Sequence, residues 1–162
     1  MQKEYRHKSE VDNLTGVYSR YYFITEGNEL LNVCSSSNPV SVCMLDIDDF
    51  KKVNDTYGHD NGDVVLRQLG QLLQNLMNHA GEERITAGRF GGEEFVVLFS
   101  GGNPVNHHKM TEEIRRQFSE LQFSFMKEHI SLSGGIVTCI LLTLLKRFRI
   151  IKAPNYERKS TP

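Results

Sequence analysis

Two clusters of acidic side chains stand beside apolar runs, and one of them follows a glycine pair whose backbone can be approached closely. The first is Arg89-Phe90-Gly91-Gly92-Glu93-Glu94-Phe95, set between Thr86-Ala87 and Val96-Val97-Leu98-Phe99. Two strand-like runs joined by Gly-Gly make a tight hairpin, because glycine enters positive φ without steric cost. A bare-backbone tip followed by two carboxylates gives an anionic ligand main-chain contact and a hard cation its oxygen ligands, which points to metal-assisted phosphate chemistry. A hairpin that merely carries a charged tip is the plain alternative. The second cluster, Asp46-Ile47-Asp48-Asp49-Phe50-Lys51-Lys52-Val53-Asn54-Asp55, holds four acids, two lysines and an amide directly after an apolar run. Loop residues at that place in an α/β domain face a ligand crevice. Asp46 and Glu94 together could give two carboxylates to Mg2+, which usually completes its octahedron with water and phosphate oxygens, so the ligand is expected to be a nucleotide.

The elements that must position these residues follow from alternation and periodicity. Asp12-Asn13-Leu14-Thr15-Gly16 is a turn and helix start, and Tyr18, Tyr21, Tyr22 and Phe23 give the following helix an aromatic face as far as Asn32. Ser35 to Pro39 reads as a loop and Val40 to Leu45 as a buried strand that ends on Asp46. Gly58-His59-Asp60-Asn61-Gly62-Asp63 reads as a second turn, after which Val65, Leu66, Leu69, Leu72, Leu73 and Leu76 recur at helical spacing. Ile85 to Phe90 and Phe95 to Phe99 are the hairpin strands. Met110, Ile114, Phe118 and Leu121 mark one face of another helix, and Ile130 to Thr138 is a last strand, with close backbone approach at Gly134-Gly135. The order helix, strand, helix, helix, strand, strand, helix, strand predicts an α/β (α+β) domain, a mixed central sheet with helices on its faces. The end of the first strand and the hairpin tip then lie side by side.

Composition bounds the rest. A chain of 162 residues at 39% hydrophobic can bury one core, and 24% charge is ordinary for a soluble domain. Residues 1–11 are polar, either a linker or the remnant of a helix, with no signal peptide. No apolar run approaches the ~20 residues that cross a bilayer. Cys34, Cys43 and Cys139 lack metal-type spacing and are expected to be packing residues in a reducing cytoplasm. Neither a membrane nor a nucleic acid is expected as a partner, and the net charge is −1. The charge is unevenly placed, however: residues 140–162 hold 6 of the 19 basic and 1 of the 20 acidic side chains, leaving 13 and 19 for residues 1–139. The domain is therefore read as 12–139, and 140–162 as an atypical tail.

Taken together, Asp12-Asn13-Leu14-Thr15-Gly16, the segment Asp46 to Asp63 and Gly91-Gly92-Glu93-Glu94-Phe95 resemble the GGDEF family of diguanylate cyclases over most of the chain, from Asp12 to about Thr138. The resemblance implies a nucleotidyl-cyclase or palm-like fold, condensation of two GTP molecules into cyclic di-GMP with release of pyrophosphate, Mg2+ or Mn2+, and a homodimer. It implies that Asp46 and Glu94 hold the metal by their side chains and Ile47 by its carbonyl. Glu93 would sit at the reacting 3′-hydroxyl, as general base or as a further metal ligand. Lys51 would contact phosphates, and Gly91 and Gly92 would receive the substrate. Asn54 and Asp63 would bind the guanine edge, with Leu14 near the base and His59 shaping the pocket. Plainer roles stand beside these: a helix cap for Asp46, turn formation for Asn54, Asp63 and His59, and solvation for Lys51.

Two departures carry expectations of their own. Glu82 and Ile85 stand where many members have the arginine and aspartate of a product-inhibition motif, so inhibition through that site is expected to be missing. The lysine- and arginine-bearing terminal segment of the family does not follow Cys139; Ile140-Leu141-Leu142-Thr143-Leu144-Leu145-Lys146-Arg147-Phe148-Arg149 does. Much reduced turnover is expected from this, and the alternative to a cyclase is a degenerate domain that binds GTP as a regulatory or interaction module.

Overall fold

A computed structural model describes residues 9–79, 81 and 83–139. The polar start 1–8, Glu82 and the tail 140–162, about which the sequence raised expectations, lie outside the described residues. The elements in chain order are β1 (Tyr18–Ser19), α1 (Arg20–Asn32), β2 (Val40–Ile47), α2 (Phe50–Tyr57), α3 (His59–Asn78), β3 (Arg84–Gly91), β4 (Glu94–Ser100), α4 (Pro104–Ser119) and β5 (Leu132–Cys139). The sheet runs β1-β3-β4-β2-β5, with β1 parallel to β3 and every other pair antiparallel. The expected mixed sheet with helices on its faces is therefore the observed one.

Alternation along the strands sorts residues onto two faces. Cys43, Leu45 and Ile47 of β2, with Phe95, Val97 and Phe99 of β4, pack against Val65, Leu66, Leu69 and Leu73 of α3 and Ile114 and Phe118 of α4. The opposite face buries Val40, Val96, Leu98 and Cys139 beneath Phe23 and Leu30 of α1. Helix α1 starts where the Ser19 hydroxyl accepts from the Tyr22 amide, and α4 where the Asn103 side chain accepts from the Val105 amide ahead of Pro104. A buried polar strut ties the sheet to α4: His107 Nδ1 lies 2.7 Å from the Ser41 hydroxyl, its Nε2 2.8 Å from the Gly101 carbonyl oxygen, and Thr138 Oγ1 2.7 Å from Ser41 Oγ. Burial pushes His107 below its usual value, consistent with a neutral ring donating to Gly101 and accepting from Ser41.

Three expectations are corrected. Tyr18 belongs to the short β1 rather than to the helix, and only Phe23 of the proposed aromatic face is fully buried. The stretch after Asp48-Asp49, read as loop residues, is α2, the first of the two helices that the element order puts between the first strand and the hairpin, because Phe50, Val53 and Tyr57 fall on one face and pack on the core. Gly58 to Asp63 is not a turn: Gly58 alone, at φ +86°, breaks the chain between α2 and α3, and α3 begins at His59.

Candidate functional site

Strand β2 carries Asp46 to the end of the sheet, where the antiparallel register sets it opposite Glu94, the first residue of β4. Both carboxylates are exposed and share the face that α1 covers further along. Between β3 and β4 the register shifts, and Gly91-Gly92 make the connection with Gly92 at φ +50°. A Cβ at Gly91 or Gly92 would meet nothing within 4 Å. The backbone itself favours glycine at both positions, since Gly91 lies at φ +156° and Gly92 at +50°, and the open space leaves the main chain there free to be approached.

Asp46 is pushed above the usual carboxylate range by desolvation and then by the charges of Glu93, Glu94 and Asp48. Asp48, by contrast, is held below that range by hydrogen bonds from Ser131 and Ser133, one of them Ser131 Oγ to Asp48 Oδ2 at 2.5 Å. Asp48 is thus engaged with β5, while Asp46, Glu93 and Glu94 repel one another at the sheet end. Hard oxygen donors whose mutual repulsion a cation would relieve fit Mg2+ or Mn2+. Among the described residues no three side chains of His, Cys, Asp or Glu converge to enclose an ion, so an ion there would need further ligands from main chain, water or phosphate. The Ile47 side chain is buried in the core, which leaves only its backbone for that purpose.

The remaining residues named from the sequence occupy the α2–α3 side. Lys51 is exposed on the first turn of α2, and His59 is exposed at the start of α3. Asn54 is half-buried against Gly62, where any Cβ would collide with its side-chain oxygen. The small residue in α3 therefore seats the Asn54 amide beside the position preceding the half-buried Asp63. Leu14 is half-buried, packs on the core, and lines a cavity of about 660 Å³ with Asp12, Asn13, Arg20 and Ile24. That cavity holds none of Asn54, His59 and Asp63. The structure thus gathers Asp46, Ile47, Gly91, Gly92, Glu93 and Glu94 at the sheet end and sets Asn54 beside the residue before Asp63. It does not draw Leu14 into one cavity with that pair.

Arg89 and Asp12 are site residues that the pattern of types did not single out. Arg89 donates from Nε and Nη2 to the Gly92 carbonyl oxygen at 2.9 and 2.8 Å, and its Nη1 stands 3.4 Å from Asp12 Oδ1. Asp12 Oδ1 also accepts from the Thr15 amide and hydroxyl at 2.9 and 2.7 Å. Burial raises Asp12, but the bonds from Thr15 and the charge of Arg89 outweigh it and leave the carboxyl below its usual value. Gln74 Nε2 then holds the Thr15 carbonyl oxygen at 2.8 Å, and Gly70 lies so close beneath Thr15 that a Cβ would strike its backbone. The 12–16 turn is in this way clamped between α3 and the hairpin. Arg89→Ala should loosen the Gly-Gly connection, seen as at least tenfold faster amide exchange at Gly92 and Glu93 with the β3–β4 ladder intact. Arg89→Lys, which cannot fork across one carbonyl, should restore little of it. Unchanged exchange in Arg89→Ala would show that the hairpin holds itself.

Comparison with known proteins places these features. The family model for the diguanylate cyclase GGDEF domain matches residues 9–143. Diguanylate cyclase A of Treponema denticola is 33% identical over 131 residues, 77% of this chain and 34% of that protein. The response regulator PleD of Caulobacter vibrioides is 36% identical over 114 residues, 70% of this chain and 24% of that protein. The chain thus spans between about a quarter and two fifths of the length of the curated relatives it matches. Among solved structures, the GGDEF domain of DgcB from Caulobacter crescentus, in complex with c-di-GMP, superposes with a TM-score of 0.72 at 29% identity, covering 83% of this chain and 80% of that one. The active GGEEF domain of a diguanylate cyclase from Vibrio cholerae is 37% identical with a TM-score of 0.55, covering 62% of each chain.

Proposed function

This chain belongs to the diguanylate cyclase GGDEF domain family, and on that premise we propose that it joins two GTP molecules into cyclic di-GMP with release of pyrophosphate. The observation that carries the reading is the register pair Asp46 and Glu94 beside the open Gly91-Gly92 connection. Asp46 and Glu94, with the Ile47 carbonyl, would hold Mg2+ or Mn2+, which when bound neutralises phosphate charge and weakens the hold on the reacting hydroxyl's proton. Glu93 stands next to that pair and accepts the proton of the attacking 3′-hydroxyl. The backbone at Gly91 and Gly92 lets phosphate oxygens approach, and Lys51 adds positive charge from α2. Attack of oxygen on an α-phosphate with pyrophosphate leaving in line needs positioning and charge stabilisation rather than a covalent intermediate.

Each chain presents one such site, so two chains related by a two-fold axis bring two GTP molecules into reciprocal attack. Formation of cyclic di-GMP from GTP and Mg2+, followed by chromatography, tests the activity, and its dependence on protein concentration tests the dimer. GTP binding without any product would leave the degenerate binding module in its place.

Guanine selection falls to Asn54 and Asp63. An acid accepts from guanine N1–H and the exocyclic amine, and adenine offers no matching donors. Asn54→Ala and Asp63→Ala should each weaken GTP by about 1–3 kcal/mol, roughly 5- to 150-fold, while leaving ATP nearly unchanged. Isothermal titration with both nucleotides checks this; equal losses would reduce the two residues to shaping the α2–α3 junction.

A further inference from the structure

Cys34 and Cys139, far apart in sequence, meet at one buried spot. Cys34 follows the last turn of α1, its amide donating to the Leu31 carbonyl oxygen at 3.2 Å, and Cys139 ends β5 opposite Val40 of β2. The Cys34 thiol donates to the Cys139 carbonyl oxygen at 3.0 Å, and the two side chains interact directly as well. Both lie in the cluster beneath α1, 4% and 7% exposed. Cys43 is apart from them, packed on the opposite face of the sheet with its thiol 3.6 Å from the Met44 carbonyl oxygen. With its sulfur 3.0 Å from the Cys139 carbonyl oxygen, Cys34 stands against the main chain of Cys139, the kind of proximity that a disulfide requires.

We propose that Cys34 and Cys139 form a dithiol pair that a peroxide converts into a disulfide, joining the exit of α1 to the end of β5. One thiolate attacks a peroxide oxygen; the O–O bond breaks, hydroxide leaves and a sulfenic acid remains. The second thiolate attacks that sulfur; the S–S bond forms, the S–O bond breaks and a second hydroxide leaves. With the two thiol protons, the hydroxides become two waters. The sulfurs lose two electrons and the peroxide gains them.

Proximity gives the selectivity. A sulfenic acid at either position meets the other thiol at once, whereas Cys43, with the other two cysteines on the far face, has no such partner. Burial and the neighbouring thiol push Cys34 up to about 11, so little thiolate is present near neutral pH and the reduced pair withstands brief exposure. Once made, the bond closes a loop containing β2, β3 and β4, and it fixes the point from which residues 140–162 continue.

The test is made on the full, unsubstituted chain, so it does not depend on variants folding. The protein is incubated with hydrogen peroxide, its remaining thiols are alkylated in denaturant, and the digest is mapped by mass spectrometry. A Cys34–Cys139 linked peptide lighter by two hydrogens, with Cys43 alkylated, is the expected result. The thermal midpoint should rise by about 5 °C or more and return on reduction. Cys34→Ser and Cys139→Ser should each abolish the rise. Oxidation of Cys43 first, a sulfinic acid at Cys34 or Cys139 without a cross-link, links between chains, or thiols that stay reduced while the denatured chain is oxidised would each overturn the proposal.

Discussion

Asp46→Ala and Glu94→Ala should each lower cyclic di-GMP formation by roughly three powers of ten or more, ~4 kcal/mol of transition-state stabilisation. The two carboxylates face each other across the β2–β4 register, and the proposed metal site, with so few protein ligands, would have no substitute for either. Calorimetry with and without Mg2+ should show GTP binding that no longer responds to the ion. Stability should move the other way. The Asp46 pKa is raised in the folded chain; an aspartate with a raised folded pKa opposes folding wherever it is ionised, so at neutral pH its removal should leave stability unchanged or slightly higher. A variant that loses turnover without losing stability marks a residue kept for chemistry. Retained Mg2+-dependent GTP affinity in either variant would sink the metal assignment.

Replacing residues 139–162 with a family-type terminal segment should raise turnover by about a hundredfold or more, ~3 kcal/mol or above. The expected lysine and arginine are absent after Thr138, and the cations present are Lys146, Arg147, Arg149 and Lys152 in an unrelated pattern. Charge without fixed geometry gives little in a reaction that works through preorganised electrostatics. Cyclic di-GMP formation at equal folded concentration compares the two proteins. Equal rates would mean that the present tail supplies the phosphate contacts in its own way.

Much of the scaffold was legible because the strands around the site are apolar runs with clear ends. Val40 to Leu45 and Phe95 to Phe99 could hardly be anything else, and their pairing puts Asp46 opposite Glu94. The start of α3 was hidden by Gly58, Asn61 and Gly62, which locally favour a turn. Gly62 is there for a different reason, the seat of the Asn54 amide, and tertiary packing overrides its helix propensity. The acids and amide of Asp46 to Asp55 favour a loop where α2 in fact begins, although Phe50, Val53 and Tyr57 do carry a helical period. Arg89 could not be read at all, since its partners Gly92 and Asp12 come together only when β3 turns into β4 beside the 12–16 turn. Nor could Ser41, His107 and Thr138 be joined from sequence, being three polar residues on three elements. Ile85 proves to be buried in β3.

The position of β2 has a consequence for how the chain comes off the ribosome. Both neighbours of this strand are made after it: β4 begins at Glu94 and β5 at Leu132. At about 5–20 residues per second, an emerging Val40–Ile47 waits roughly 2–10 s for its first partner, and longer for its second. Throughout that interval an apolar segment with both hydrogen-bonding edges open is exposed to other nascent chains. Synthesis that stalls between Ser100 and Leu132 would still leave one of those edges bare, so the nascent chain is most exposed to aggregation before β4 is made and stays partly exposed until β5 follows.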